Sequence, residues 1–396
     1  MSNLIKKISS NIKFNKICIA LFLMFYIGCY YPTLLKYVKI GYVVLFIGVV
    51  SSILKNKKIL YTNFIFISIL FISYSFLSVL WAENVSLTLN STILLLKASL
   101  ITIAFSQLIS NGNDFKWALL WLFLSGLFFG IVYIAHVNIA FLGNNRINNV
   151  LEVNVNIVAM YVSFAAVYFL YKTLNSKLLS TNSVLFLVSF IILIVLGSRK
   201  SILTVILGML MFFTKLNLKL KINIVFLISL FILLILSIIP REYLAFVLER
   251  GLNLNVFSEN TIDYSDQLRL NFIDYGISYF LQNPIFGHGF YNFSILYENS
   301  TGIFMYSHNN FIETLVGGGL IAFIIYYSFY IKIFNQIKDR KNNFVFDYRY
   351  LLLVLFMLLL FNHIAIVVLI DRFIWLLLAL LFIGTYKKDF LGYQQG

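Results

Sequence analysis

Four cationic or titratable side chains stand where their surroundings make them expensive. Arg199 and Lys200 separate two apolar runs, 182–197 and 201–214. Arg269 falls within the apolar arc of a short amphipathic stretch, and His308 stands just ahead of the apolar run that opens at Phe311. A guanidinium binds phosphate or carboxylate through two parallel hydrogen bonds and keeps its charge at any working pH. An imidazole titrates in the range that suits a general base. Together they outline a site for an anionic ligand whose reaction gives up a proton. Each also has a plainer reading. Arg199 and Lys200 can anchor a turn by snorkelling, and Arg269 can snorkel or form an internal salt bridge. Ser307 and Asn309 can cap the helix that follows, although a His beside them is harder to explain as structural. His288, in Gly287-His288-Gly289, is a secondary candidate, because a lone Gly-x-Gly is more often a tight turn than a phosphate cradle.

The elements that must position these residues follow from composition. Of 396 residues, 61% are hydrophobic and only 11% charged, with mean hydropathy +0.91. No single soluble core hides that much apolar surface, so a soluble enzyme and a disordered chain are excluded. Cys18 and Cys29, both in the first apolar run, make no disulfide framework. A membrane helix needs about 20 apolar residues. Twelve runs qualify, near 17–35, 37–54, 59–80, 87–109, 115–141, 153–171, 182–197, 201–214, 222–239, 311–331, 350–370 and 373–386. The segment 182–214 is divided because it is too long for one span and carries Arg199 and Lys200 at its middle. The expected fold is an all-α integral membrane protein, one polytopic domain over 1–396.

With that division the connections alternate in charge. Twenty of the 30 Lys and Arg fall on one side and nine on the other, with Lys97 inside a span. The basic side is cytoplasmic by the positive-inside rule, so both termini are expected there. The net charge of +15 is then mostly a topology signal, and no nucleic-acid partner is needed to explain it. The first run lacks a small-x-small cleavage site before Pro32 and is expected to stay as a helix.

One outer connection is long. Residues 240–310, between the ninth and tenth spans, hold seven of the 15 acidic residues, and loops of this length are usually functional. Within it 266–282 reads as a helix capped by Ser265 or Asp266 and stopped by Asn283-Pro284. Its apolar arc places Arg269 facing inward, where a guanidinium needs an anion or acceptors. His136 and His363, in or beside spans, read as structural or pore-edge groups.

These segments resemble the O-antigen polymerase and O-antigen ligase superfamily of bacterial membrane glycosyltransferases. The resemblance lies in Gly197-Ser198-Arg199-Lys200-Ser201, in Arg269 followed by Asn283-Pro284-Ile285-Phe286-Gly287-His288-Gly289, in Ser307-His308-Asn309-Asn310-Phe311-Ile312-Glu313, and in Gly317-Gly318-Gly319-Leu320-Ile321. Ser78-Val79-Leu80-Trp81 and Asn154-Val155-Asn156 are weaker echoes. The specific motifs cover roughly 197–321.

The resemblance implies a GT-C-like O-antigen ligase fold in the bacterial inner membrane, with 240–310 as a periplasmic loop and the active site facing the periplasm. It implies a metal-independent, inverting transfer of an oligosaccharide from undecaprenyl diphosphate, without a cofactor. The catalytic positions carry over to Arg199, Arg269 and His308, with Lys200, Asn309 and His288 as substrate contacts. A polysaccharide chain-length regulator is an implied partner, beside the lipid bilayer. No Asp-x-Asp pair occurs, so a hard-metal site of that type is not indicated. The Ser-His-Asn run and the glycine stretch look more like polymerases than ligases. A flippase or transporter is the rival from another class. It predicts internal repeats and midplane polar groups, whereas the ionisable residues here cluster at the outer edge.

Overall fold

A computed structural model describes residues 12–29, 34–56, 59–136, 153–176, 180–214, 264–338 and 348–386. Its elements are α1 (Ile12–Leu23, running into a π turn at Met24–Gly28), α2 (Leu35–Asn56), α3 (Thr62–Leu77, ending in a 3₁₀ turn at Ser78–Trp81), α4 (Val85–Ser106), α5 (Gly112–His136), α6 (Val155–Leu174), α7 (Thr181–Leu196), α8 (Arg199–Phe213), α9 (Tyr264–Gln282), α10 (Phe293–Thr301), α11 (Asn310–Lys338), α12 (Tyr348–His363) and α13 (Arg372–Tyr386). Six helices among the described residues are long and apolar enough to cross a membrane, and four shorter ones are apolar. The protein is therefore a helical, multi-pass membrane protein. Eleven of the twelve expected spans overlap described helices, six of them long and apolar enough to cross a membrane; the run at 222–239 lies outside the described residues.

The division of 182–214 is present. α7 ends at Gly197, which takes a left-handed conformation (φ 61°) and donates its N–H to the Leu193 and Ile194 carbonyls. This glycine C-cap satisfies carbonyls the helix end would otherwise leave open. Ser198, extended, then starts α8.

The chain groups into two compact units. The first comprises 1–48, 116–257 and 342–358, and the second 49–115, 258–341 and 359–396. In the first, α6 is the hub, buried along nearly its whole length and packed against α7 and α8. Small residues let neighbours approach it closely. A Cβ on Gly130 of α5 would stand 2.5 Å from Val162, and one on Gly208 of α8 would stand 2.9 Å from Val167.

In the second unit α3, α4, α11 and α13 pack together, and α9 lies along α11. Phe272 and Tyr279 of α9, Phe293 and Tyr297 of α10 and Val316 of α11 share one aromatic core. Gly276 allows the approach, since a Cβ there would overlap Ile312.

α11 is broken at Gly319 (φ 63°, ψ −164°), and the Pro284–Gly289 turn fills the break. A regular helix would pair the Leu320 N–H with the Val316 carbonyl. Here Leu320 N donates to the Pro284 carbonyl at 2.9 Å, and the Val316 carbonyl accepts from His288 N at 2.9 Å. Gly287 (φ 71°) has no room for a side chain: its Cβ would lie 2.6 Å from Gly319 N. A Cβ on Gly319 would overlap the Ile285 carbonyl oxygen.

Gly319 and Gly302 separate strain from fit. Both have positive φ, but nothing lies within 4 Å of a Cβ on Gly302. Gly302→Ala should cost about 1 kcal/mol from backbone strain alone. Gly319→Ala should cost at least about 2 kcal/mol more, because backbone must move. Thermal unfolding of the two purified variants in detergent checks this; equal shifts in Tm would show that the turn does not fill the break.

Candidate active site

The first unit places Arg199 and Lys200 in the first turn of α8, Arg199 exposed and Lys200 half-buried. Two cations here oppose the macrodipole, whose positive end lies at a helix N-terminus, and together they concentrate positive potential. The turn is tied down from beneath: Ser198 Oγ is 3.1 Å from Ser201 Oγ and 3.5 Å from Asn156 Oδ1. Asn156 is itself held at the start of α6, donating its N–H to Asn154 Oδ1 at 2.9 Å. The Asn154-Val155-Asn156 echo is thus the support of the Ser-Arg-Lys turn.

The second unit holds Arg269, His288, His308 and Asn309. Arg269 does not face inward. It is exposed, and the buried face of α9 is Phe272, Gly276 and Tyr279. Leu270, Ile277 and Leu281, which share the apolar arc, are 55%, 47% and 68% exposed. The arc is wider than the buried face because a chain that lives in a membrane need not bury every apolar side chain. The predicted start also shifts: α9 begins at Tyr264, so Ser265 and Asp266 lie within its first turn.

His308 has a left-handed backbone (φ 52°), unusual outside glycine and costly unless the surroundings enforce it. Its ring packs against Tyr306, at a centroid distance of 4.0 Å, and against Phe272, at 5.6 Å and nearly parallel. Phe272 lies one turn beyond Arg269 on α9. The structure thus brings the helix of Arg269 and the ring of His308 together. Asn309 caps α11, its Oδ1 accepting from Phe311 N at 2.9 Å and Ile312 N at 3.1 Å. Ser307 takes no such part; its hydroxyl is 2.7 Å from Glu313 Oε2.

His288 is buried, with both ring nitrogens engaged within the protein. Nε2 lies 2.9 Å from the Tyr279 carbonyl and Nδ1 3.3 Å from Glu83 Oε1. Its backbone bonds to Val316 and Glu83. The ring is a strut between α9, the glycine turn and the 82–84 segment. The Ser78–Trp81 echo belongs to the same assembly. Ser78 Oγ accepts from Phe290 N at 3.0 Å, Trp81 Nε1 donates to the Phe286 carbonyl at 3.3 Å, and Asn84 N donates to Asn292 Oδ1 at 2.9 Å. His363 is fully buried, with Nδ1 near Asn310 and Tyr327 and Nε2 3.1 Å from the Tyr330 hydroxyl. His136 Nδ1 lies 2.8 Å from the Val132 carbonyl.

Residues 184–327 match a family model described as O-antigen ligase. The matched stretch holds Arg199, Arg269, the glycine turn, His308 and the break at Gly319. The match supports the resemblance to the O-antigen polymerase and ligase superfamily over that stretch. No curated protein matches the chain. Members of the matched family are glycosyltransferase-like enzymes.

Sequence reasoning gave no role to Phe272, Tyr306, Tyr291 or Glu313. Phe272 and Tyr306 read as ordinary apolar residues until the fold stacks them on His308. Tyr291 also has a left-handed backbone (φ 68°). Its hydroxyl is pushed well above the usual range, first by burial and then by the nearby Glu313. Glu313 is the only acidic residue between Glu298 and Asp339, and that isolation in an apolar run was the available signal.

The cap gives a direct test. Asn309→Ala should destabilise by about 1 kcal/mol, while Asn309→Asp or Asn309→Ser should recover most of it. Denaturation midpoints of the three variants measure this; an unshifted Asn309→Ala would remove Asn309 from the helix start.

Proposed function

We propose that this protein is an O-antigen or related surface-polysaccharide polymerase of the bacterial inner membrane. It transfers glycan from undecaprenyl diphosphate to the next lipid-linked repeat unit at the periplasmic face. The observation that carries the reading is the His308 ring, held against Tyr306 and Phe272 on a left-handed turn beside the helix that bears Arg269.

The chemistry assigns the parts. The acceptor hydroxyl attacks the anomeric carbon from the face opposite the diphosphate, which inverts the centre. The acceptor oxygen–carbon bond forms as the carbon–phosphate-oxygen bond breaks. His308 takes the hydroxyl proton or orients the hydroxyl, and undecaprenyl diphosphate leaves with the bonding electron pair. Arg199 and Arg269, assisted by Lys200, hold the diphosphate and stabilise the charge that grows on it, the largest single lever for such a reaction. Asn309 fixes the helix start beside His308, and His288 supports the glycine turn. The reaction needs no metal on this reading. Twelve spans, cytoplasmic termini and a periplasmic 240–310 loop complete the proposed topology, with a chain-length regulator as partner.

Ligation to lipid A–core is the second reading, favoured by the description of the matching family model. Transport without chemistry is the third; turnover of lipid-linked donor in detergent, with no second compartment, would exclude it.

A deletion strain complemented with wild type, Arg199→Ala, Arg269→Ala or His308→Ala tests the reading on a polysaccharide gel. The deletion should leave core carrying a single repeat unit. Each well-expressed variant should resemble the deletion, with activity down by about 100-fold or more. Bare core with accumulating lipid-linked polymer would instead identify a ligase. Wild-type banding in all three variants would show that these residues are only anchors.

A further inference from the structure

The proposed reaction gives no task to Glu313, yet the turn that carries His308 is built on it. Glu313 stands one turn into α11 and is 1% exposed. Its Oε2 accepts from Ser307 Oγ at 2.7 Å and from Ser307 N at 3.3 Å. Its Oε1 is buried with no hydrogen-bond partner among the described residues. A half-satisfied buried carboxyl is costly, and a link kept for stability alone is often better made by packed apolar groups.

The bonds of Glu313 reach both neighbours of His308. On one side the carboxyl holds Ser307. On the other the Glu313 N–H donates to the Asn309 carbonyl at 2.9 Å. The Ser307 hydroxyl lies 2.8 Å from that same carbonyl, and Asn309 N donates back to Ser307 Oγ at 3.3 Å. With one proton, the Ser307 hydroxyl donates to the carboxyl or the carbonyl at any moment; the carboxyl also holds Ser307 through its N–H, and the Asn309 N–H ties the turn from the other end. His308 is the residue enclosed, and its positive φ is the strain that the closure maintains.

We propose that Glu313 is a positioning residue for His308: its carboxyl closes the Ser307–Asn309 turn and so fixes the imidazole against Tyr306 and Phe272. The inference deepens the proposed function and rests on His308 being the group that meets the acceptor hydroxyl. Glu313 touches no reacting atom and acts through the turn.

The test uses the full chain in detergent, with Glu313→Ala, Glu313→Gln, Ser307→Ala, His308→Ala and the Glu313→Ala/His308→Ala double variant. The chain has four histidines, so the imidazole signal of His308 in histidine-labelled protein is assigned by its loss in His308→Ala. Two aromatic faces at the observed distances give that signal a ring-current shift. Glu313→Ala and Ser307→Ala should abolish the shift, and Glu313→Gln, which keeps an acceptor oxygen, should retain it.

Turnover uses a lipid-diphosphate-linked oligosaccharide. Glu313→Ala should lower kcat by about 10- to 100-fold, with donor KM within about twofold, since a misplaced group costs the chemical step more than donor binding. Glu313→Gln should recover to within about fivefold of wild type. The double variant should be no slower than His308→Ala, because the two residues act as one unit.

An unmoved His308 signal in Glu313→Ala overturns the proposal, as does a double variant whose loss is the product of the single losses. If Glu313→Ala does not fold, Ser307→Ala removes the same link from the other side, and an unmoved signal there overturns it equally. If wild type does not turn over the lipid-linked donor, the functional reading fails while the His308 signal still decides the role of Glu313.

Discussion

The second unit depends on an exchange of backbone hydrogen bonds at Gly319. A helix broken within an apolar segment leaves N–H and carbonyl groups that lipid cannot satisfy, so such a break survives only where other protein groups take over. Here the Pro284–Gly289 turn supplies both kinds of partner, with the Pro284 carbonyl for Leu320 N and His288 N for the Val316 carbonyl. The turn can come this close only because Gly287 and Gly319 lack side chains. Its position then propagates. The turn fixes the end of α9, the Tyr74 hydroxyl closes over it to the Phe286 and Gly318 carbonyls at 3.1 and 2.9 Å, and His288 bridges it to α9 and Glu83. Within that frame Phe272 meets the ring of His308.

This frame also separates what the sequence alone discloses from what it hides. Span positions were legible because a run of about 20 apolar residues has few other uses. The α7–α8 break was legible because Arg199 and Lys200 cannot sit cheaply inside a single span. The break in α11 was not. Gly317-Gly318-Gly319 lies in an apolar run and reads equally well as a packing stripe; only the partner turn, some 30 residues earlier in the chain, makes it a break.

Arg269 was misplaced for a related reason. A helical wheel reports which residues are apolar, and the inward face follows from it only when water is the sole surrounding. The core that decides the face of α9 is Phe293, Tyr297 and Val316, none of them on α9. Ser307 and Asn309 shared a capping signature, and the choice fell to Asn309 because Glu313 claims Ser307. The two weak echoes, Ser78–Trp81 and Asn154–Asn156, were seen as fragments of motifs. They are the surfaces against which the stronger motifs are held, which explains why polar residues recur there in otherwise apolar helices.

On the proposed reading, the two halves of the chemistry ask for different mechanical properties, and the structure meets them differently. A diphosphate presents many equivalent oxygens, so a guanidinium on a long side chain can find one from a range of positions. Arg199 and Arg269 accordingly lie at exposed sites. Proton transfer tolerates no such range: the imidazole nitrogen must stand within hydrogen-bond reach of one oxygen at a defined angle. His308 is accordingly half-buried against two aromatic rings on a backbone held by Ser307 and Asn309. The strain in that turn and the buried carboxyl that sustains it make sense together, because each is a cost that only a fixed imidazole repays.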